Sequence, residues 1–280
     1  MLTFTKREAL RSHLDTLQKA RKTLGFVPTM GALHPGHLSL VKASKKQCDI
    51  TICSVFVNPT QFNNKSDLER YPRMPEADSK MLADAACDIL FMPDNSEMYD
   101  GQTTRTFDLG YLDKILEGEH RPGHFQGVAQ IVDMFFELVK PDKAFFGSKD
   151  YQQVMVIKEL VRQTGQKVEI ISCPILREPD GLAMSSRNSL LSRDERILAS
   201  NIPGLMKTAV AMVSMDSVTA AKKYIRDQLG RFPGMKLDYF EVCDATTLKS
   251  VDAPSADDKS VALIAVYVGK VRLIDNLQLS

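Results

Sequence analysis

The spacing of apolar residues divides the chain into two textures. In the first, short apolar runs alternate with amphipathic stretches. Thr5-Lys-Arg-Glu8 reads as a capping box, and Leu10, Leu14 and Leu17 behind it share one helical face. Residues 24–28 form a short apolar run that predicts a strand, and residues 29–37 a loop. Pro35 suits the first turn of a helix that continues through Leu38, Leu40 and Val41. Residues 50–57, ITICSVFV, are β-branched and almost continuously apolar, the pattern of a strand buried on both faces of a parallel sheet. Pro75 opens a predicted helix to about Ala86, and residues 88–92 predict a strand. Residues 125–139 form a strongly apolar helix ending before Pro141. A strand at 143–146, a helix at 150–164 stopped by Gly165 and a strand at 167–173 follow. This alternation is the pattern of an α/β parallel sheet.

Beyond residue 175 the texture changes. Ser192-Arg-Asp-Glu195 is a second capping box, opening a helix expected to run to about Val213. A further helix near 218–229 ends at Gly230. Strands are expected at 237–242, 261–268 and 271–274, with a hairpin turn at Gly269-Lys270. Two helices followed by clustered strands read as a small α+β domain. Pro174, Pro179 and Gly181 place the boundary between residues 175 and 190, and residues 252–258 read as a mobile surface loop.

The composition narrows the function classes. The 280 residues carry 36 Lys+Arg against 35 Asp+Glu, with 44% hydrophobic and 25% charged residues. That apolar content excludes a disordered chain. A net charge of +1 counts against holding nucleic acid by bulk electrostatics. The five cysteines, Cys48, Cys53, Cys87, Cys173 and Cys243, are odd in number and lack a C-x-x-C. They read as small buried hydrophobes in a reducing compartment rather than as disulfides or zinc ligands. The N-terminus has no apolar signal region, and no apolar run approaches the roughly 20 residues of a membrane span. The expectation is a cytoplasmic protein without membrane or nucleic-acid partners.

Several segments carry candidate chemistry. Met30-Gly-Ala-Leu-His-Pro-Gly-His37 follows a strand and enters a helix. His37-Leu38 replaces the Lys-Ser/Thr of a P-loop, and no G-x-G-x-x-G occurs. What remains is two histidines at a helix N-terminus, where free N–H groups favour anions, against a bland reading as loop or capping histidines. Lys149, in Phe145-Phe-Gly-Ser-Lys-Asp150, sits at a helix start where a structural lysine is unfavourable, which suggests a phosphate partner. The alternatives are a solvated charge for Lys149 and an N-cap for Asp150. Ser185, Ser186 and Arg187 are either a polyphosphate clamp or a polar loop. Asn58 and Gln61 either bind a small polar substrate or belong to an Asn-Pro turn. His120 and His124 lack a carboxylate or Cys that would complete a zinc set in sequence.

Together these segments resemble the pantoate–β-alanine ligase family over nearly the whole chain. The motifs PTMGALHPGH, SVFVNPTQF, YPR, EGEHRPGHFQGV, FFGSKDYQQ, REPDGLAMSSRN and RLIDN stand in the family's order. His34-x-Gly-His37 is also similar to the element of the wider nucleotidyltransferase superfamily that includes class I aminoacyl-tRNA synthetases. The resemblance implies a Rossmann-like ATP- and pantoate-binding domain over residues 1–176, with helices on both faces of its sheet. A small α+β C-terminal lid domain over 177–280 would follow.

The implied reaction condenses ATP, (R)-pantoate and β-alanine to pantothenate through a pantoyl adenylate, with AMP and pyrophosphate as by-products. The implied catalytic set is His34, His37, Lys149 and Arg187, with His37 either a proton donor or a phosphate stabiliser. ATP would lie along Met30, Gly31, Ala32, Leu33, His34, Pro35, Gly36 and His37. It would also meet Gly147, Ser148, Lys149 and Asp150, and Leu176, Met184, Ser185, Ser186 and Arg187. Pantoate would meet Gln61 and Gln153 with Asn58 nearby, and β-alanine would meet Gln61. Arg121 and His124 match a polar stretch near the site. Ser148 replaces a usual Glu, and Ala77 replaces an acidic residue of some members. Magnesium would therefore ride mainly on ATP phosphates, with Asp78 the one candidate protein ligand. The family implies a homodimer. Two alternatives are another nucleotidyltransferase, against which Gln61 and Gln153 discriminate, and a non-catalytic ATP sensor, which would not need the four catalytic residues. A tRNA-binding role lacks both an anticodon-type domain and a basic surplus.

Overall fold

The structure, a computed structural model, describes residues 1–102, 104–254 and 259–279. Residues 255–258 of the expected surface loop thus lie outside the described residues. The chain divides into two compact units, Met1–Pro174 and Ile175–Ser280, slightly before the boundary expected after residue 176.

The first unit runs β1 (Leu2–Phe4), α1 (Arg7–Lys19), β2 (Leu24–Thr29), α2 (Pro35–Gln47), β3 (Ile50–Val55), α3 (Lys65–Arg70) and α4 (Pro75–Asp84). It continues with β4 (Ile89–Phe91), α5 (Asn95–Tyr99), α6 (Glu117–His120), α7 (His124–Val139), β5 (Lys143–Gly147), α8 (Tyr151–Thr164) and β6 (Glu169–Cys173). The six strands form one sheet in the order β1-β4-β3-β2-β5-β6, and every neighbouring pair is parallel. Helices flank it, as a parallel sheet requires, because both faces of its strands are apolar. Every residue of β3 after Ile50 is buried. Phe26 of β2 meets Phe135 of α7 edge-on at 5.5 Å, which locks that strongly apolar helix onto the sheet.

One local expectation fails here for a tertiary reason, and one short strand was not expected. The Thr5–Glu8 capping box does not form. Lys6 is the N-cap, and the Arg7 backbone N–H donates to Glu97 Oε1 at 2.7 Å, while Lys6 Nζ pairs with Glu97 at 2.9 Å. A carboxylate distant in sequence thus does the capping. Strand β1 escapes the pattern because it has three residues, two of them exposed.

The second unit contains α9 (Arg193–Ala199), α10 (Ile202–Met215), α11 (Val218–Leu229), β7 (Met235–Asp244), β8 (Ser260–Val268) and β9 (Val271–Leu279). The strands form an antiparallel sheet in the order β7-β8-β9. Met206, Ala209, Ile225, Phe240 and Ile264 lie in its core. The helix expected over 192–213 is two helices. The Ser192 capping box forms, but α9 stops at Ala199 and α10 restarts with Pro203 in its first turn. A proline there has no N–H for Ala199 and would clash with its carbonyl in a continuous helix.

Candidate active site

Strand order reverses between β2 and β5: the chain runs outward from β2 to β3 and β4, then returns to β5 on the other side of β2. In open α/β sheets ligands bind at such a reversal, outside the carboxyl ends of the strands. Strand β2 ends there in residues 30–37, and β5 in residues 147–150.

The turn after β2 is built on unusual backbone. Gly31 and Ala32 both have positive φ, 79° and 47°. A Cβ at Gly31 would stand 2.9 Å from Asp78 Oδ2, so a side chain is excluded by space as well as by conformation. Asp78, 1% exposed on α4, accepts the Ala32 N–H at 2.9 Å and the Leu33 N–H at 2.7 Å. Burial raises its pKa, and these two backbone bonds act the other way. Asp78, the residue singled out as a magnesium ligand, braces this turn, with each carboxylate oxygen on a backbone amide.

The two histidines are oriented by the backbone. His34 is the N-cap of α2 and Pro35 its first residue. His34 Nδ1 accepts from the Gly36 N–H at 3.1 Å, and His37 Nδ1 accepts from the His34 N–H at 3.3 Å. A backbone N–H only donates, so both Nδ1 atoms are unprotonated, and each neutral ring carries its proton on Nε2. The rings lie 4.0 Å apart. Burial first, and Lys149 second, push His34 down to about 4. Burial, then His34 and Lys149, push His37 down to about 3. At neutral pH the pair thus offers two uncharged N–H donors.

Across the reversal, Lys149 sits in a single turn of 3-10 helix, Ser148–Asp150, ahead of α8. Its ammonium lies 3.2 Å from Asp150 Oδ1. Asp150 is positionally the N-cap of α8 but makes no side-chain cap bond, so the capping reading fails: the side chain is turned to Lys149 instead. Gln153 is half-buried on the first turn of α8, whereas its neighbour Gln152 is buried. Gln152 accepts from the Glu117 N–H and donates to the carbonyls of Leu112 and Ile115, so it organises the loop before α6.

After β3, Asn58 caps a 3-10 turn, Pro59–Gln61, whose last residue is Gln61. Asn58, 1% exposed, donates to Gln61 Oε1 at 3.1 Å and to the Gly127 carbonyl at 3.0 Å. Its own oxygen accepts from the Thr60 N–H and from the Tyr99 hydroxyl. Gln61 Nε2 reaches Met30 Sδ at 3.0 Å, which ties this turn to the one after β2. His124 is buried at the start of α7, against the Gln61 carbonyl, with Arg121 beside it.

The remaining candidates lie in the second unit. Residues 176–184 form a tight hairpin with Gly181 at φ 90°. Met184 donates its N–H to the Leu176 carbonyl at 3.0 Å. Ser185 caps the following turn by accepting the Arg187 N–H at 3.2 Å. The hairpin is anchored by Arg177, whose guanidinium grips Asp275 in two bonds, 2.7 and 3.0 Å, and also reaches the carbonyls of Gly181 and Asn276. Asp275 is 3% exposed. Sequence reasoning quoted both segments, REPDG and RLIDN, without seeing that each supplies half of one ion pair. It also missed Tyr99 and the bracing role of Asp78. Among the described residues no cluster of three or more His, Cys, Asp or Glu could hold a metal ion.

Comparison with known proteins identifies the family. A family model described as pantoate-beta-alanine ligase matches residues 2–278. The pantothenate synthetase of Porphyromonas gingivalis is 46% identical over 278 residues, covering 99% of each chain. That of Cytophaga hutchinsonii is 45% identical over 279 residues, again covering 99% of each. Among solved structures, the Thermus thermophilus pantothenate synthetase superposes with a TM-score of 0.92 at 39% identity, covering 100% of this chain and 99% of that one. The Francisella tularensis pantoate–β-alanine ligase, solved with an ATP compound and β-alanine, gives 0.83 at 36% identity, covering 99% and 97%. The chain is a member of the pantoate–β-alanine ligase family, an enzyme that joins pantoate to β-alanine.

Proposed function

We propose that the ligation proceeds through a pantoyl adenylate, with ATP held over the reversal between β2 and β5. The observation that carries this reading is the pair of Nε2–H donors on His34 and His37 at the N-terminus of α2, with the Lys149 charge, ahead of α8, near enough to act on both rings. In the first step a pantoate carboxylate oxygen bonds to the α-phosphorus, and the bond from that phosphorus to the bridging oxygen breaks, releasing pyrophosphate. The carboxylate is already ionised, so no general base is needed. What the step needs is stabilisation of charge on the phosphate oxygens. Two neutral N–H donors and the Lys149 ammonium supply it, and His37 acts as a hydrogen-bond donor rather than an acid. In the second step the β-alanine amine bonds to the acyl carbon, the acyl–oxygen bond breaks to release AMP, and the nitrogen gives up one proton to solvent.

Gln61 and Gln153 are assigned to pantoate, and Gln61 also to β-alanine. Met184, Ser185, Ser186 and Arg187 are assigned to ATP, at the end of a hairpin held by Arg177 and Asp275 and in the turn that follows it. The residues present do not make a protein-built magnesium site: Asp78 is committed to the turn, and Ala77 has no ligand atom. Magnesium enters with ATP, as part of that substrate. No described helix is long and apolar enough to cross a membrane, and we assign the enzyme to the cytoplasm as a homodimer. The decisive test is exchange of labelled pyrophosphate into ATP with pantoate present and β-alanine absent. Exchange is expected, and an absolute requirement for β-alanine would refute the free adenylate.

A further inference from the structure

The polar network behind Gln61 has a direction that its donors and acceptors dictate. Arg121 Nη1 lies 3.0 Å from His124 Nε2. A guanidinium can only donate, so Nε2 accepts, and the neutral imidazole carries its proton on Nδ1. That Nδ1–H lies 2.8 Å from the Gln61 carbonyl oxygen and donates to it. This tautomer is the opposite of that in His34 and His37. Burial, then the Arg121 charge, push His124 down to about 3, which keeps the ring neutral. Glu117, 3.7 Å from Arg121, and Asp150 oppose that shift from their negative charges.

The side chain of Gln61 is directed in the same way. Asn58 Oδ1 accepts the Thr60 N–H, so Asn58 Nδ2 must face Gln61, and the Gln61 oxygen must face Asn58. The Gln61 amide nitrogen is thereby turned toward Met30, with N–H groups to offer. The close approach is enforced at Gly127, where a Cβ would lie 2.4 Å from the Thr60 carbonyl oxygen.

We infer that His124 and Arg121 are positioning residues for pantoate recognition, fixing Gln61 through its backbone carbonyl so that its amide presents N–H donors to the substrate. The inference rests on the assignment of Gln61 to pantoate, and the test separates the two. Gln61→Ala sets the scale by raising the pantoate KM. His124→Leu should raise the pantoate KM by about five- to tenfold, the effect of one lost hydrogen bond, with the ATP KM and kcat changing far less. His124→Asn places an amide N–H near the former Nδ1–H and should restore the pantoate KM to within about threefold of wild type. Nitrogen-15 NMR of the free enzyme should show His124 as the Nδ1–H tautomer, and Arg121→Met should release that preference. A pantoate KM unchanged in Gln61→Ala would refute the substrate assignment, while the NMR result still decides the tautomer. A raised KM in Gln61→Ala with a wild-type KM in folded His124→Leu would overturn the positioning role, as would an Nε2–H tautomer in the wild type. If His124→Leu does not fold, Arg121→Met decides: an unaltered tautomer and pantoate KM overturn the proposal.

Discussion

The turn after β2 and the turn after β3 enter the same end of the sheet but are held in contrasting ways. In residues 30–37 each histidine ring bonds backbone no more than three residues away, and Pro35 and Gly36 set the helix start locally. In residues 58–61 the local Asn58 bonds are joined by partners far along the chain, Tyr99, His124 and Gly127. The first turn can present fixed neutral donors with little help, braced from a distance at Ala32 and Leu33 by Asp78 and touched at Met30 by Gln61. The second is only as well placed as the helix packed behind it. Rigid donors suit charge that develops on phosphates, whereas an assembled amide suits recognition of one small substrate.

The largest expected effect tests whether the first turn suffices by itself. Lys149→Ala should lower the single-turnover adenylation rate by about 100-fold or more, as for loss of one electrostatic donor. A near-normal rate would mean that the neutral histidines carry the step unaided. The next test concerns those donors. His37→Ala should cost about 100-fold in kcat, while His37→Gln, with an amide N–H near the Nε2 position, should recover most of it. If Gln is no better than Ala, a proton must move, and His37 is an acid after all.

The second turn should break in a different way. Gly127→Ala drives a methyl into the Thr60 carbonyl and should destabilise the fold by about 1–3 kcal/mol in urea titrations. It should raise the pantoate KM and leave the ATP KM alone; equal rises in both would erase the distinction between the turns. Asp78→Asn sets an amide nitrogen against one of two backbone N–H groups, for about 1–3 kcal/mol in stability measured without metal. Excess magnesium should not restore the lost activity, and full rescue by magnesium would reinstate Asp78 as a ligand.

A further effect, spread over three rings, is on acid stability. His34, His37 and His124 are pushed from the usual 6.5 to about 4, 3 and 3. Below pH 6.5 the unfolded chain therefore binds protons that the folded chain refuses, and stability falls as pH falls from about 6.5 toward 4. Denaturation midpoints at pH 7 and pH 5 should show that loss, and His124→Asn should reduce it. An unchanged slope would place a charged imidazole in the folded enzyme.

Much of the architecture is legible in the amino-acid order because it depends on neighbours. The run from Ile50 to Val55 cannot face water on either side, and Pro35 and Ser192 mark helix starts through their own backbone and hydroxyl chemistry. The histidine turn and the Lys149 turn follow strands for the same local reason. Features that depend on distant partners were not legible. Glu97 displaced the cap written into Thr5–Glu8, and Asp78 braces the β2 turn from 46 residues away. Asp150 left its cap position for Lys149, and Arg177 found Asp275 at the far end of the second unit. A hydrogen-bonding side chain has more potential partners than it can use. Periodicity and capping rank only those within a few residues; once burial removes water as a competitor, the nearest partner in space takes the bond. Sequence order therefore determined the alternating sheet, the helix starts and the two histidines of the β2 turn. Tertiary packing alone decided the tautomer of His124, the direction of the Gln61 amide and the duty of Asp78.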